Sequence, residues 1–223
     1  MKLYYHPIST TSRPLLMFAA DNNIEMEMQV VDLMTGEHVK PPYLAVNPSG
    51  LVPVLDDGDF RLTESSAILK YLADKIGSAA YPKDLQARAR VNERMDWINT
   101  QLYREFGYGL VYPQIFPHYK RPSDEQQSGV VAWGKEKSGR WLKVLDKNLI
   151  GNNEYLCGSE LSLADYLGAA YVTLGELLRC DFSAYPNVSR WLKTMKARPN
   201  WSKVNKPFYD WVGSLKDKSF VTI

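Results

Sequence analysis

Apolar and polar positions change rhythm once along this chain. Up to about residue 80 the apolar runs are short and of two kinds. Lys2 to Tyr5 reads as a short strand stopped by Pro7, since proline brings no N–H to a sheet ladder. Ser12-Arg13-Pro14 opens an apolar run, Leu15 to Ala20, that predicts a helix. Proline is tolerated in a first turn, where its missing N–H has no intrahelical partner. Glu25 to Val31 alternates loosely and predicts a second strand. Val52 to Leu55 and Phe60 to Leu62 predict two more, joined by the turn signal Asp56-Asp57-Gly58-Asp59. Ser65 to Ile76 sets Ala67, Ile68, Leu69, Tyr71, Leu72 and Ile76 at helical spacing. The segment between the second and third strands is left open between loop and helix.

After Tyr81-Pro82 helical periodicity takes over. Leu85 to about Phe116 predicts one long or kinked helix, and Ser123 to Leu149 another. Gly151-Asn152-Asn153 makes a loop, and Ser162 to Leu178, Val188 to Ala197 and Trp201 to Leu215 predict further helices. The expected organisation is a mixed α/β domain over residues 1–80 and an all-helical domain over residues 85–223, the boundary falling near 78–85. No internal repeat or low-complexity tract appears.

Composition narrows the class. The chain has 223 residues, 45% of them hydrophobic and 23% charged. That length buries a real core without disulfides or metals. No run of 18 apolar residues exists, so no membrane span is expected, and the first residues lack the apolar stretch of a secretory signal. Two cysteines, Cys157 and Cys180, build no disulfide framework, which points to a reducing compartment, the cytoplasm. His6, His38 and His118 lie too far apart for zinc spacing, so no metal is expected. Residues 1–80 carry 6 basic and 10 acidic side chains, a net of −4, and the rest a net of +6. A mildly basic second part suits small anions, whereas nucleic acid asks for a dense basic face.

Five motifs bear on chemistry. Pro7 to Arg13 is a hydroxyl-rich loop at the start of a helix, where the dipole favours an anion such as a thiolate. From the loop alone, a plain cap with Ser12 as N-cap is the stronger reading. Asn47 to Leu55 puts Pro53 where a strand should start, which suggests an edge strand or a cis bond. A cis Val52–Pro53 bond would leave the Val52 backbone to pair with an extended peptide, against an ordinary turn. Thr63-Glu64-Ser65-Ser66 precedes a helix. Its free N–H groups suit a carboxylate and Glu64 suits an ammonium group, unless the motif is only a cap. Ser162 with Asp165 reads as a capping box and is assigned to structure. Tyr103, Phe106, Tyr108, Tyr112 and Phe116 are spaced for a helical core. A bend at Gly107-Tyr108-Gly109 would turn the rings into the wall of an apolar pocket.

Taken together, these elements resemble the soluble glutathione S-transferases, over essentially the whole chain. The resemblance rests on Leu3-Tyr4-Tyr5 through Arg13, Asn47-Pro48 through Val52-Pro53, Glu64-Ser65, and Ser162-Leu163-Ala164-Asp165. Stretches similar to the theta class are Val31-Asp32-Leu33 with Gly36-Glu37-His38, Asp57-Gly58-Asp59-Phe60, Leu62-Thr63-Glu64-Ser65, and Tyr81-Pro82 followed by Leu85 to Val91. The resemblance implies a thioredoxin-like first domain, an all-helical second domain, and glutathione as co-substrate with no metal or nucleotide. It implies conjugation of the glutathione thiolate to a small apolar electrophile, detoxification as the setting, and a homodimer.

It also implies roles. Ser9 takes the position of the serine that favours the thiolate, with Tyr5 as competitor. Lowering a thiol pKa of ~8.5 by about two units needs ~2.7 kcal/mol, within reach of one charge-assisted hydrogen bond and a helix N-terminus. His38 meets the glycyl end, with Val39 and Lys40 nearby, and Leu51 is among the glutathione-binding positions. Val52 and a cis Pro53 meet the cysteinyl unit, and Glu64 and Ser65 hold the γ-glutamyl end. Tyr103, Tyr108, Tyr112 and Phe116 would wall the electrophile pocket. The chain departs from the family pattern in Thr10-Thr11-Ser12, where many relatives carry a Pro and a Cys. Without a loop cysteine, disulfide exchange is disfavoured. Gly50-Leu51 also departs, which leaves the glycyl contacts open. A non-catalytic glutathione-binding or assembly module, or a glutathione-dependent dehalogenase or isomerase, are the alternatives. Retention of Ser9, Glu64 and Ser65 favours the enzyme.

Overall fold

Four strands form one mixed sheet in the order β2-β1-β3-β4. The structure is a computed structural model that describes residues 1–223. β1 (Lys2–Tyr5) runs parallel to β2 (Glu27–Val30) and antiparallel to β3 (Val54–Asp57), and β3 pairs antiparallel with β4 (Phe60–Thr63). Leu3 and Leu55 face each other across the centre and are fully buried. β2, at the edge, is exposed along its whole length. The third strand starts at Val54, two residues later than the sequence pattern suggests. Pro53 supplies no ladder donor, and the Val52–Pro53 bond is cis, as the motif predicted. The open connection holds a 3-10 turn, Glu37–Val39, and a one-turn α2 (Pro41–Leu44). α1 (Arg13–Asp21) crosses over between the two parallel strands, and α3 (Ser65–Ile76) follows β4. This is the expected thioredoxin-like arrangement.

The remainder is helical. Asp84 caps α4 (Leu85–Trp97), accepting from the Ala87 N–H at 2.9 Å. The rod continues through a π-helical stretch, Ile98–Val111, into α5 (Tyr112–Ile115). It stops at Phe116, whose backbone turns extended ahead of Pro117. A 3-10 turn, Pro117–Tyr119, leads to α6 (Asp124–Val144), capped by Ser123. α7 (Leu163–Val172) is buried throughout, and α8 (Pro186–Lys196) and α9 (Trp201–Ser214) complete the domain. No helix is long and apolar enough to cross a membrane.

The glycines at 107 and 109 lie within the π-helical stretch and do not interrupt it. Each makes room. A Cβ on Gly107 would lie 2.7 Å from the Tyr103 ring. Gly109 faces Gly134 of α6, where a Cβ would lie 2.3 Å from the Gly109 carbonyl. The two helices therefore touch backbone to backbone.

Ser162 and Asp165 form the expected capping box. Asp165 does more than cap. Its carboxylate also accepts from the Leu156 N–H at 2.8 Å and Trp191 Nε1 at 2.9 Å, which ties three segments together. Burial raises its pKa, and those hydrogen bonds oppose the rise.

Two polar clusters join the halves. Arg13 is fully buried with no carboxylate beside it. Its guanidinium donates to Asn205 Oδ1 at 2.7 Å, Thr173 Oγ1 at 2.9 Å and the Ala170 carbonyl at 3.4 Å. It also lies 3.7 Å from the Phe208 ring centre. Burial lowers its pKa to about 10. At the other end of α1, Asp21 accepts from Arg198, Tyr166 and Asn200. α1 is thereby held from both ends by the helical domain.

Candidate active site

A cleft of about 550 Å³ opens between the sheet's loops and the helical rod. Its floor is the loop after β1. Ser9 Oγ lies 3.0 Å from Thr11 Oγ1, and the Thr11 hydroxyl donates to the Val52 carbonyl at 2.8 Å. Ser9 accepts from the Ser12 N–H at both its carbonyl (3.1 Å) and its hydroxyl (3.3 Å). Ser12, the other reading of this motif, makes no side-chain cap bond. Ser9, Thr10 and Thr11 line the cleft at the start of α1, and Ser12 does not.

The next wall is the turn before β3. Asn47 Nδ2 and the Tyr43 hydroxyl both donate to the Leu51 carbonyl, at 2.8 and 2.7 Å, and so fix the approach to Val52–Pro53. Gly50 has φ +62°, and a Cβ there would come within 3.1 Å of the His38 carbonyl. A left-handed backbone and this close approach account for glycine at 50. The 3-10 turn puts His38 in the cleft lining, and its Nδ1 is buried without a partner. Val39, expected beside His38, does not line the cleft. A single turn sends neighbouring side chains in different directions, and Val39 lies largely exposed against Gly36 and Gly50. Tyr5 and Lys40 also lie off the lining.

α3 starts at the third wall. Glu64 sits just before it with φ +66°, a conformation that costs a non-glycine residue of order 1–3 kcal/mol. Its side chain makes no cap bond, which weighs against the plain-cap reading. Ser65 is buried, with its hydroxyl 3.5 Å from that of Tyr171.

The fourth wall is aromatic. Tyr103, Tyr108, Tyr112 and Phe116 all line the cleft, as expected. The hydroxyls of Tyr103 and Tyr112 meet at 2.7 Å, and Tyr112 donates to Thr10 Oγ1 at 3.0 Å. Tyr171 lies against Tyr103 at 4.2 Å between ring centres. Burial raises the pKa of Tyr103, Tyr112 and Tyr171, and lifts Tyr119 to about 12. Thr10, Tyr119, Tyr171 and Trp211 line the cleft as well and were absent from the sequence-based set. Phe106, grouped with the pocket rings by spacing, is fully buried instead. Cys157 and Cys180 lie elsewhere, and burial pushes both thiols up.

A cleft with hydroxyls and a helix start on one side and rings on the other, below a cis-proline turn, defines a class. The family described as glutathione S-transferase, N-terminal domain, matches residues 1–74, and its C-terminal counterpart matches residues 110–199. The chain belongs to the glutathione S-transferases. It is 34% identical over 200 residues to glutathione S-transferase theta-1 of Homo sapiens, covering 88% of this chain and 82% of that protein. Among solved structures it is similar to human glutathione transferase theta-2 in complex with glutathione. That match has a TM-score of 0.86 at 28% identity, covering 100% of this chain and 93% of the other. A delta-class transferase from Nilaparvata lugens matches with a TM-score of 0.81 at 32% identity, over 96% and 99%.

Proposed function

We propose that this theta-class-like enzyme conjugates glutathione to small apolar electrophiles, with Ser9 as the group that favours the thiolate. One observation carries the reading. Ser9, the Val52 edge and the start of α3 line a single cleft with the tyrosine wall.

In this reading the N–H groups at the start of α3 and Ser65 take the γ-glutamyl carboxylate, and the Glu64 carboxylate takes its ammonium group. The cysteinyl backbone pairs with Val52, whose carbonyl keeps a second lone pair beside the one that Thr11 uses. His38 Nδ1 offers a polar partner at the glycyl end. The sulfur then lies at Ser9. To serve it, the Ser9 hydroxyl turns its hydrogen from Thr11 toward the sulfur. The thiol proton leaves to solvent. The thiolate forms a bond to the electrophilic carbon, which expels a leaving group or passes its electron pair to a neighbouring acceptor. Holding both reactants in one cleft contributes orientation as well as activation. Family membership supports a homodimer, a cytoplasmic location and a role in detoxification.

Retention on immobilised glutathione, followed by conjugation of an activated aryl halide, tests the reading. Binding with turnover is expected. Binding without turnover would make the chain a carrier or assembly module, and absence of both would overturn the assignment. Light scattering tests the dimer.

A further inference from the structure

The hydroxyl hydrogens around the cleft can be counted. Each Ser, Thr or Tyr hydroxyl has one hydrogen to give and two lone pairs to receive. The Thr11 hydrogen goes to the Val52 carbonyl. In the 3.0 Å contact between Ser9 and Thr11 the donor is therefore Ser9. On the other side, Tyr112 gives its hydrogen to Thr10 Oγ1. In the 2.7 Å contact with Tyr103 it must then receive, so Tyr103 donates. The chain runs in one direction, from Tyr103 to Tyr112 to Thr10. Thr10 receives and donates to no protein group, so among the hydroxyls of this loop that line the cleft its hydrogen is the unspent one. Thr10 is buried, lines the cleft and adjoins Ser9. Hydroxyls linked in series polarise one another in a low-dielectric site. The phenols at the head of the chain are raised by burial and stay neutral donors through the working pH range.

We propose that Thr10 is a second hydroxyl donor to the glutathione thiolate, with Tyr112 and Tyr103 as the positioning residues that aim and polarise it. The inference rests on the reading of Ser9 and the cleft given above and adds a residue to it. No bond is made or broken at Thr10. Its hydrogen moves into a bond with sulfur while Tyr112 continues to donate to its oxygen. Tyr112 then both walls the electrophile and holds the sulfur's donor. A substitution among the rings is felt at the thiol.

The thiolate of bound glutathione absorbs near 240 nm, so its pKa is read directly by titration. His38, Glu64 and His118, the non-phenolic ionisable groups of the cleft, are common to all variants and cancel in the comparison. Thr10→Val keeps the shape and removes the hydroxyl. It is expected to raise the bound thiol pKa by about one unit, which lowers turnover about tenfold below neutral pH. Glutathione Kd should stay within about twofold, since a hydroxyl aimed at the thiolate acts mainly on activation. Thr10→Ser should restore the wild-type pKa. Tyr112→Phe should shift it less and in the same direction, and add nothing on top of Thr10→Val. A wild-type thiol pKa in Thr10→Val overturns the proposal. So does a shift that Thr10→Ser fails to rescue, which would mark a packing effect. Ser9→Ala is titrated alongside. If Ser9→Ala leaves the pKa unchanged and Thr10→Val moves it, the role of Ser9 fails and that of Thr10 stands. The reverse pattern removes Thr10 alone. A wild-type complex with no 240 nm band at any pH overturns both.

Discussion

The two sides of the cleft are built from different material. The glutathione side uses main chain and short hydroxyls: a helix start, a carbonyl beside a cis proline, and Ser9 one hydrogen bond from Thr11. The electrophile side uses large rings on three separate segments, Tyr103 to Tyr119 on the rod and its end, Tyr171 on α7, and Trp211 on α9. Positions on the first side are set by backbone geometry, and those on the second by how the helices pack. A change on the first side should act on thiol chemistry and glutathione affinity. A change on the second should act on electrophile choice.

Ser9→Ala should break the comparison most sharply. Turnover is expected to fall about 10²-fold, ~2.7 kcal/mol, with glutathione Kd little changed, while Tyr5→Phe should behave as wild type. Equal losses in both variants, measured as kcat and Kd, would move thiol activation toward Tyr5. Glu64→Gln comes next. It removes a charge-assisted contact worth ~1.5–3 kcal/mol, so Kd for glutathione should rise roughly tenfold or more by titration calorimetry. A lowered melting temperature with wild-type Kd would make the residue a structural one.

Gly134→Ala tests the packing side. Its Cβ would meet the Gly109 backbone at 2.3 Å, so a loss of about 1–3 kcal/mol is expected by denaturant unfolding. Gly129→Ala, on the same helix with nothing within 4 Å of its Cβ, should instead stabilise by about 0.4–1 kcal/mol. The ring wall also has its own pH signature. Burial raises four of its phenols, Tyr103, Tyr112, Tyr119 and Tyr171, so their neutral forms are favoured in the fold. That contribution is fully present below about pH 10, the unfolded value, and is lost as pH rises through the higher folded values. Melting temperature should fall from pH 10 upward, and the 295 nm phenolate signal of these rings should appear only with unfolding. Trp211→Ala should have a small effect on catalysis, about a fivefold rise in electrophile KM, ~1 kcal/mol, with glutathione KM unchanged.

The difference between the sides also decides what could be read in advance. The cis bond and the capping box at Ser162 are local properties, legible in short motifs, whereas the third strand, read from Val52, starts at Val54 because Pro53 supplies no ladder donor. Val39 lies off the cleft lining, and facing within a single 3-10 turn is not periodic, so its sequence neighbour His38 gave no guide to it. On the other side, spacing identified the rings of the rod but not which one would be fully buried, Phe106. Tyr171 and Trp211 could not be found at all, because nothing in α7 or α9 announces which helix they will lie against. The glycines at 107 and 109 were read as a break. Their reason lies in Tyr103 and in Gly134, a partner 25 positions away from Gly109. Thr10 looked like a departure from the family, and only the hydroxyl of Tyr112 gives it a partner.

The fully buried Arg13 constrains the order in which a ribosome delivers this protein. Asn205, which takes its Nε, lies 192 residues downstream, and Phe208 follows it. While the first half is emerging, that guanidinium has only water to satisfy it, and a buried charge without partners costs several kcal/mol. The face of α1 that carries Arg13 therefore stays open to water until α9 has been synthesised, so the first part of the chain made is among the last to be sealed. In stalled nascent chains that end before Trp201, Arg13 should react with a guanidinium-directed reagent, whereas released full-length chains should protect it.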